Sequence, residues 1–200
     1  MQNANSMPRP KSFDVDDVLD RAVDLFWING YAATSMEDLV NHLGINRGSL
    51  YSTCGSKQEL YELAIERYAS VGRDWMAAML SDPAIPLRDT ITTVLTSSAE
   101  STDHRGCLLV NTAMERNATD ERSLDLTSKA LDERRAILAA AFESRRNELA
   151  NGVTPDRAAD LVLVAAQGLR VVATTESEIG ADSTIQTVLD TVTPEPSFGR

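Results

Sequence analysis

Apolar residues return along this chain every three or four positions, and short polar breaks divide the pattern into blocks. That period marks amphipathic helices, whereas half-buried strands alternate every second residue. The first block runs from Asp14 to Asn29, with Val15, Val18, Leu19, Ala22, Val23 and Phe26 on one stripe and Asn29-Gly30 as its stop. Trp27 is expected in the core. A second stripe, Met36, Leu39, Val40 and Leu43, ends at Gly44, where a helix favours a residue free to adopt positive φ. A long helix is predicted from Lys57 to Ser81, with Leu60, Ala64, Tyr68, Val71, Trp75 and Met79 near one face. Pro86 opens the next, which buries Leu87, Ile91, Val94 and Leu95 and ends near Thr102. An apolar helix begins at Gly106-Cys107 and carries Asn111 and Met114. The spacing predicts three more helices, Asp120 to Asn151, Pro155 to Glu178 and Asp182 to Val192. In the first of these Leu124, Leu131, Ile137, Leu138, Ala141 and Phe142 form the buried side. No credible strand is found, so the expected fold class is all-α, with disordered tails at 1–12 and 194–200.

The stretch from Ser35 to Lys57 is the most informative. Thr34 and Glu37 stand three apart, as in a capping box. After Gly44, Ile45 plugs a corner and Asn46 caps a short helix, Arg47 to Ser52. Leu50 is the one strongly apolar residue of that helix, so Arg47, Gly48, Ser49, Tyr51 and Ser52 are left to face outward. A short helix with one buried anchor and small polar residues outside suits insertion into a groove. Two helices around a glycine corner form a helix-turn-helix, whose second helix enters the DNA major groove. Ser56 and Glu59 make a second capping box, which leaves Lys57 beside the free N–H groups of a helix start, a natural phosphate site. The plainer reading, a helical corner in a core, remains open at this level.

Charge qualifies this picture. The net charge is −11, and residues 1–70 alone hold six Lys or Arg against ten Asp or Glu. Gly44 to Lys57, however, contains Arg47 and Lys57 and no acid. An acidic body suppresses non-specific DNA binding while permitting specific binding through a local basic face. No apolar run approaches a membrane span, and no secretory signal core is found, so a cytoplasmic protein is expected. Two cysteines and two histidines make neither a disulfide framework nor a zinc site, and no glycine-rich phosphate loop or nucleophile motif is found. The chain is therefore not expected to be an enzyme, and no cofactor is called for.

In the second half the informative residues are neutral. Helical projection turns Trp75, Met76 and Met79 toward the same interior as Cys107, Leu108, Asn111, Met114 and Gln167. An apolar cavity with a few polar groups is how small ligands are held, although such stripes also build ordinary cores. The centre of the helix from Pro155, LVLVAAQGLRVVA, is apolar nearly all round and so must be buried on more than one side, within the subunit or against a second copy.

The order of parts, with Gly30-Tyr31 before the corner, then Ile45-Asn46-Arg47-Gly48-Ser49-Leu50-Tyr51 and Gly55-Ser56-Lys57, closely resembles the N-terminal domain of TetR-family transcriptional repressors over residues 13 to 70. The resemblance implies a three-helix helix-turn-helix domain at 13–57. It also implies a C-terminal helical bundle at 58–193 for ligand binding and dimerisation. The implied partners are a palindromic double-stranded operator, a second copy of the chain and a small-molecule effector. Carried over by position, Tyr51 and Lys57 would contact phosphates, while Thr34, Ser35, Asn46, Arg47, Gly48, Ser49 and Ser52 would lie at the DNA. Trp75, Met76, Met79, Cys107, Asn111, Met114 and Gln167 would line the effector cavity. Two departures stand out: Cys54 replaces the family's usual aromatic residue, and Thr53 replaces the frequent His before it. The run Arg105 to Val110 loosely resembles the electrophile-sensing branch of N-ethylmaleimide-repressor type, in which a cysteine at the place of Cys107 can be modified. His104 and Arg105 would favour its thiolate, and burial would oppose it. The expected function is a ligand-responsive repressor released by a small molecule or by thiol modification. The alternative is a dimeric helical ligand- or protein-binding module that has lost DNA binding. The acidic N-terminal half and Cys54 favour that alternative, and Gly48, Tyr51 and Lys57 oppose it.

Overall fold

The computed structural model describes residues 14–100, 105–116, 120–175 and 179–194. The tail 1–12, all but Pro194 of the tail 194–200, and His104 lie outside them. Among the described residues there are nine α-helices and no strand: α1 Val15–Ala33, α2 Met36–Leu43, α3 Arg47–Cys54, α4 Lys57–Leu80, α5 Leu87–Ala99, α6 Leu108–Arg116, α7 Glu121–Ser144, α8 Pro155–Val172 and α9 Ala181–Val192. The chain divides into two compact units between Ala64 and Ile65, within α4. No helix among the described residues is long and apolar enough to cross a membrane.

In the first unit Val18, Ala22, Val23 and Phe26 of α1 are buried as their spacing predicts, together with Leu25. The stop at Gly30 is real but local. Gly30 takes φ 77° and ψ 175°, and one further turn follows to Ala33. Trp27 is half-buried. The rings of Phe26, Tyr31 and Tyr61 pack together, Phe26 edge-on to Tyr61 at 4.9 Å between centroids. Leu39, Leu43, Ile45 and Leu50 complete this core. Arg21 Nη1 donates to the carbonyl of Leu43 at 3.1 Å, satisfying one of the free carbonyls at the end of α2.

In the second unit α5, α7, α8 and α9 surround a core of Leu87, Ile91, Leu95, Leu138, Phe142 and Val162. Three expectations are corrected here. Val71 and Trp75 of α4 are 54% and 38% exposed, whereas Met76 and Leu80 are buried. One residue along a helix is about 100° of rotation, so the apolar stripe belongs one position later than predicted. α7 stops at Ser144 rather than Asn151. Arg145 leaves the helix with φ −122° and ψ 35°, and its buried guanidinium donates to the carbonyls of Ile85 (3.1 Å) and Leu80 (3.4 Å). Those carbonyls lie at and beyond the end of α4, where no helical partner exists. Three residues on, Glu148 accepts from the backbone N–H of Leu87 at 2.6 Å. It caps α5 from a distance, since Pro86 in the N-cap position makes no side-chain bond. α8 ends at Val172, earlier than predicted.

Candidate functional site

The corner between α2 and α3 is built from local hydrogen bonds. Ser35, not Thr34, caps α2. Its hydroxyl accepts from the N–H of Asp38 at 3.1 Å, and the Asp38 carboxylate accepts from the N–H of Ser35 at 2.9 Å. The predicted capping box is thus displaced by one residue. Thr34 is fully buried and donates its hydroxyl to the carbonyl of Gly30 at 2.6 Å. Its side chain therefore supports the corner and is not placed to face DNA. Gly44 adopts φ 66°, ψ 25°, and its N–H reaches the carbonyl of Val40. Asn46 accepts from the N–H of Ser49 at 2.8 Å and starts α3.

α3 has the asymmetry its sequence predicts. Leu50 and Cys54 are buried, at 0% and 4% exposure, while Asn46, Arg47, Gly48, Tyr51 and Ser52 are exposed and Ser49 is half-exposed. The helix runs to Cys54, two residues beyond the predicted Ser52, because Cys54 adds a second inward apolar position. The Arg47 guanidinium lies 5.7 Å from the centroid of the Tyr51 ring, which orients both on the outer face. At Gly55, φ 72° and ψ −135° turn the chain, and any Cβ there would meet the Glu59 carboxylate. That carboxylate accepts from the N–H of Ser56 at 2.7 Å, while Ser56 Oγ accepts from the N–H of Glu59 at 3.2 Å. These bonds hold the carboxyls of Asp38 and Glu59 below the ordinary carboxylate range. Lys57 begins α4 with its ammonium 4.2 Å from the Tyr31 ring centroid. Together these elements present a short exposed helix carrying Arg47, followed by a helix start carrying Lys57.

In the second unit the expected cavity residues separate. Trp75 and Met76 of α4 and Gln167 of α8 line one narrow cavity of about 20 Å³. Met79 is half-buried and lies outside it. Cys107 is 1% exposed, and its sulfur accepts from the hydroxyl of Tyr68 at 3.6 Å. Asn111 is exposed and donates to the carbonyl of Arg105 at 3.0 Å. Met114 is 73% exposed. The buried face of α6 is Leu108, Leu109 and Thr112, and Met114, two residues past Thr112, points nearly the opposite way. The pocket also contains Val94 of α5, expected only as core, and Arg134 of α7 and Arg170 of α8, two cations not expected there. Arg134 is only 5% exposed. A signal for it existed. Ala130, Arg134, Leu138 and Phe142 stand four apart on one buried stripe, with a cation in its middle.

On the outside of α8, Leu161, Val164 and Val171 are 37%, 69% and 47% exposed at helical spacing. The all-round apolar character of α8 thus resolves into an inward face, Ala158, Val162, Ala166 and Leu169, and an uncovered stripe. α9 turns Ile185, Val188, Leu189 and Val192 inward and Gln186, Thr187, Asp190 and Thr191 outward.

Residues 18–64 match the family model described as bacterial regulatory proteins, tetR family. An uncharacterised HTH-type transcriptional regulator of Bacillus subtilis (strain 168), YezE, is 32% identical over 133 residues, covering 64% of this chain and 69% of the relative. The HTH-type transcriptional repressor ComR of Escherichia coli (strain K12) is 44% identical over 63 residues, covering 32% of this chain and 30% of the relative. Among solved structures, the reduced form of Escherichia coli NemR superposes with a TM-score of 0.77 at 19% identity, over 90% of this chain and 98% of that one. A cysteine-substituted form of the TetR-family regulator CifR, in complex with a 26-base-pair operator, gives 0.74 at 25% identity, over 92% of this chain and 97% of that one. With the helix-turn-helix geometry and these relatives together, the chain belongs to the TetR family of DNA-binding transcriptional regulators.

Proposed function

We propose that the protein is a dimeric repressor that holds a palindromic operator with two copies of α3 and lets go when a small molecule enters the pocket beside Trp75. The observation that carries this reading is the polarity of α3: one fully buried anchor, Leu50, and an outer face of Arg47, Gly48, Ser49, Tyr51 and Ser52. Small residues there allow close approach to the groove floor, and Arg47 supplies a donor fork for a base edge. Tyr51 and Lys57 are assigned to phosphates, Lys57 at a helix start where backbone N–H groups also face outward. Ser35, exposed and hydrogen-bonded to Asp38, is assigned to the edge of the same contact.

The uncovered stripe Leu161, Val164 and Val171 supports α8 as the centre of the dimer interface, with the polar outer face of α9 as its margin. Two copies of α3 in a two-fold dimer would read half-sites about one helical turn, or a multiple of it, apart. The release step is assigned to α4, which runs from Lys57 to Leu80 and carries both Lys57 and Trp75. The burial of Cys107, and its bond from Tyr68, favour a reversible ligand over thiol modification as the trigger. A gel-shift on the duplex upstream of the protein's own gene tests the reading. A sequence-specific shift by folded dimer at modest salt is expected, and no such shift would sink it.

A further inference from the structure

We propose that the pocket beside Trp75 takes the carboxylate of a small apolar organic acid, with Arg134 as its counter-cation and Gln167 as the acceptor for a hydroxyl on the same molecule. This inference rests on the effector reading above and names the chemistry of that effector. Three observations carry it.

The first is a buried, uncompensated charge. Arg134 is 5% exposed, its Nε–H has no acceptor, and no carboxylate among the described residues pairs with it. Glu133, its neighbour in sequence, is turned toward Arg73 at 3.7 Å. A guanidinium on a residue only 5% exposed, with its Nε–H unmet and no anion beside it, is disfavoured, so its place in a core stripe calls for a partner. The ring of Tyr68 lies 5.6 Å from the guanidinium carbon and gives it only a neutral contact. Burial, and then the neighbouring Cys107, push the Tyr68 phenol above its ordinary value, so it stays protonated and supplies no counter-charge.

The second is the seat of that guanidinium. A Cβ on Gly72 of α4 would meet Arg134 Nη2, so the arginine head packs against α4 at this glycine. The third is the rest of the pocket. Gln167 Oε1 is buried without a donor, Arg170 adds a second cation, and Trp75 and Met76 supply apolar wall. An apolar acid with a hydroxyl beside its carboxylate meets all of these groups at once. A cationic ligand would face two arginines. The cavity, about 20 Å³, is too small for an aromatic acid as it stands, so Trp75, 38% exposed, must move aside on binding.

Trp27 and Trp75 are the two tryptophans of the chain, so a Trp27→Phe background makes Trp75 a single reporter. In the full-length protein, indole emission is followed during titration with mandelate, phenylacetate and phenylacetamide. We expect saturable shifts with both acids, tightest for mandelate, and at least tenfold weaker binding of the amide. Arg134→Met should abolish the preference for acid over amide, Arg134→Lys should keep part of it, and Gln167→Leu should remove only mandelate's advantage over phenylacetate. The ligand-free Arg134→Met protein should melt at or above the parent temperature, because the substitution removes an unpaired buried charge. Equal binding of phenylacetate and phenylacetamide, no response to any of the three probes, or a markedly lower melting temperature for Arg134→Met would overturn the inference. A parallel gel-shift separates the two claims. Equal binding of acid and amide with operator release defeats the carboxylate assignment and keeps the effector pocket. Acid-selective binding without operator release keeps the assignment and defeats the release reading.

Discussion

The two units of this chain differ in how far in sequence their polar ties reach, 22 residues for Arg21 and the carbonyl of Leu43 in the first and 105 for Arg88 and that of Thr193 in the second. Around α3 the partners are neighbours: Asn46 caps Ser49, Ser35 and Asp38 cap each other, and Ser56 and Glu59 do the same, each pair three residues apart. In the second unit the decisive bonds join residues 60 or more apart. Arg145 serves the carbonyls of Leu80 and Ile85, Glu148 the N–H of Leu87, and Arg88 the carbonyl of Thr193 at 3.0 Å. A reading unit held by local caps keeps its shape with a small core. A bundle held by long-range polar ties has a polar arrangement that depends on how whole helices pack. It is also the unit in which polar atoms are left without partners: Arg134 Nε, Gln167 Oε1 and Thr127 Oγ1.

That contrast can be broken at its strongest point first. Leu50→Ala removes the one fully buried large side chain of α3, and should cost about 2–5 kcal/mol. Chemical denaturation should show the loss, and a change below about 1 kcal/mol would mean α3 is held by its caps and not by its anchor. Next, Val164→Glu puts a charge into the apolar stripe of α8. Sedimentation should show dimer affinity falling tenfold or more, about 1.4 kcal/mol or more; an unchanged dimer would place the interface elsewhere. Third, Arg47→Ala should cost about 1–3 kcal/mol of operator binding and relax preference at one base position, whereas Lys57→Ala should weaken all duplexes alike and flatten the salt dependence. Competition gel-shifts separate the two, and identical behaviour would contradict the roles assigned. Fourth, Asn46→Ala should lower stability by about 1 kcal/mol without moving the dimer equilibrium.

The smallest effect concerns pH. Asp38 and Glu59 are held below the ordinary carboxylate range by their cap bonds. Their contribution is therefore present above that range and is lost as pH falls through the lowered values. The Asp38→Asn, Glu59→Gln double variant should show a flatter acid limb in melting temperature against pH. An identical acid limb would show the caps contribute nothing to it.

What was legible in the sequence follows the same division. The α2–α3 corner, Gly44, the Asn46 cap, the Leu50 anchor and the Ser56–Glu59 box all depend on residues within one turn of each other, and their spacing carries the information. The misread cap, Thr34 for Ser35, shows how little separates two adjacent hydroxyls when only one faces outward. The inward turn of Thr34 is set by Gly30, whose positive φ bends the chain back to offer its carbonyl. In the second unit helix existence was readable, but helix phase was not. Val71 and Trp75 are apolar and in register with Leu60 and Ala64, yet the buried residues are Met76 and Leu80, one position later, on the face where Arg134 packs at Gly72. Met114 was drawn inward by its apolar character alone. Arg134 is hidden in the sequence because a cation in a helix reads as solvent-facing, and only its buried neighbours four residues away, Ala130 and Leu138, mark it as inward.

The central claim is that two copies of α3 read a two-fold symmetric duplex. Selection of bound duplexes from a randomised pool by the full-length protein, followed by sequencing, tests it with no assumed operator. Enrichment of an inverted repeat with half-sites about one helical turn or a multiple apart is expected, and it should be lost when Arg47→Ala and Tyr51→Ala are combined. Enrichment of a single unrepeated site, or none at all by a protein shown to be folded and dimeric, would contradict it.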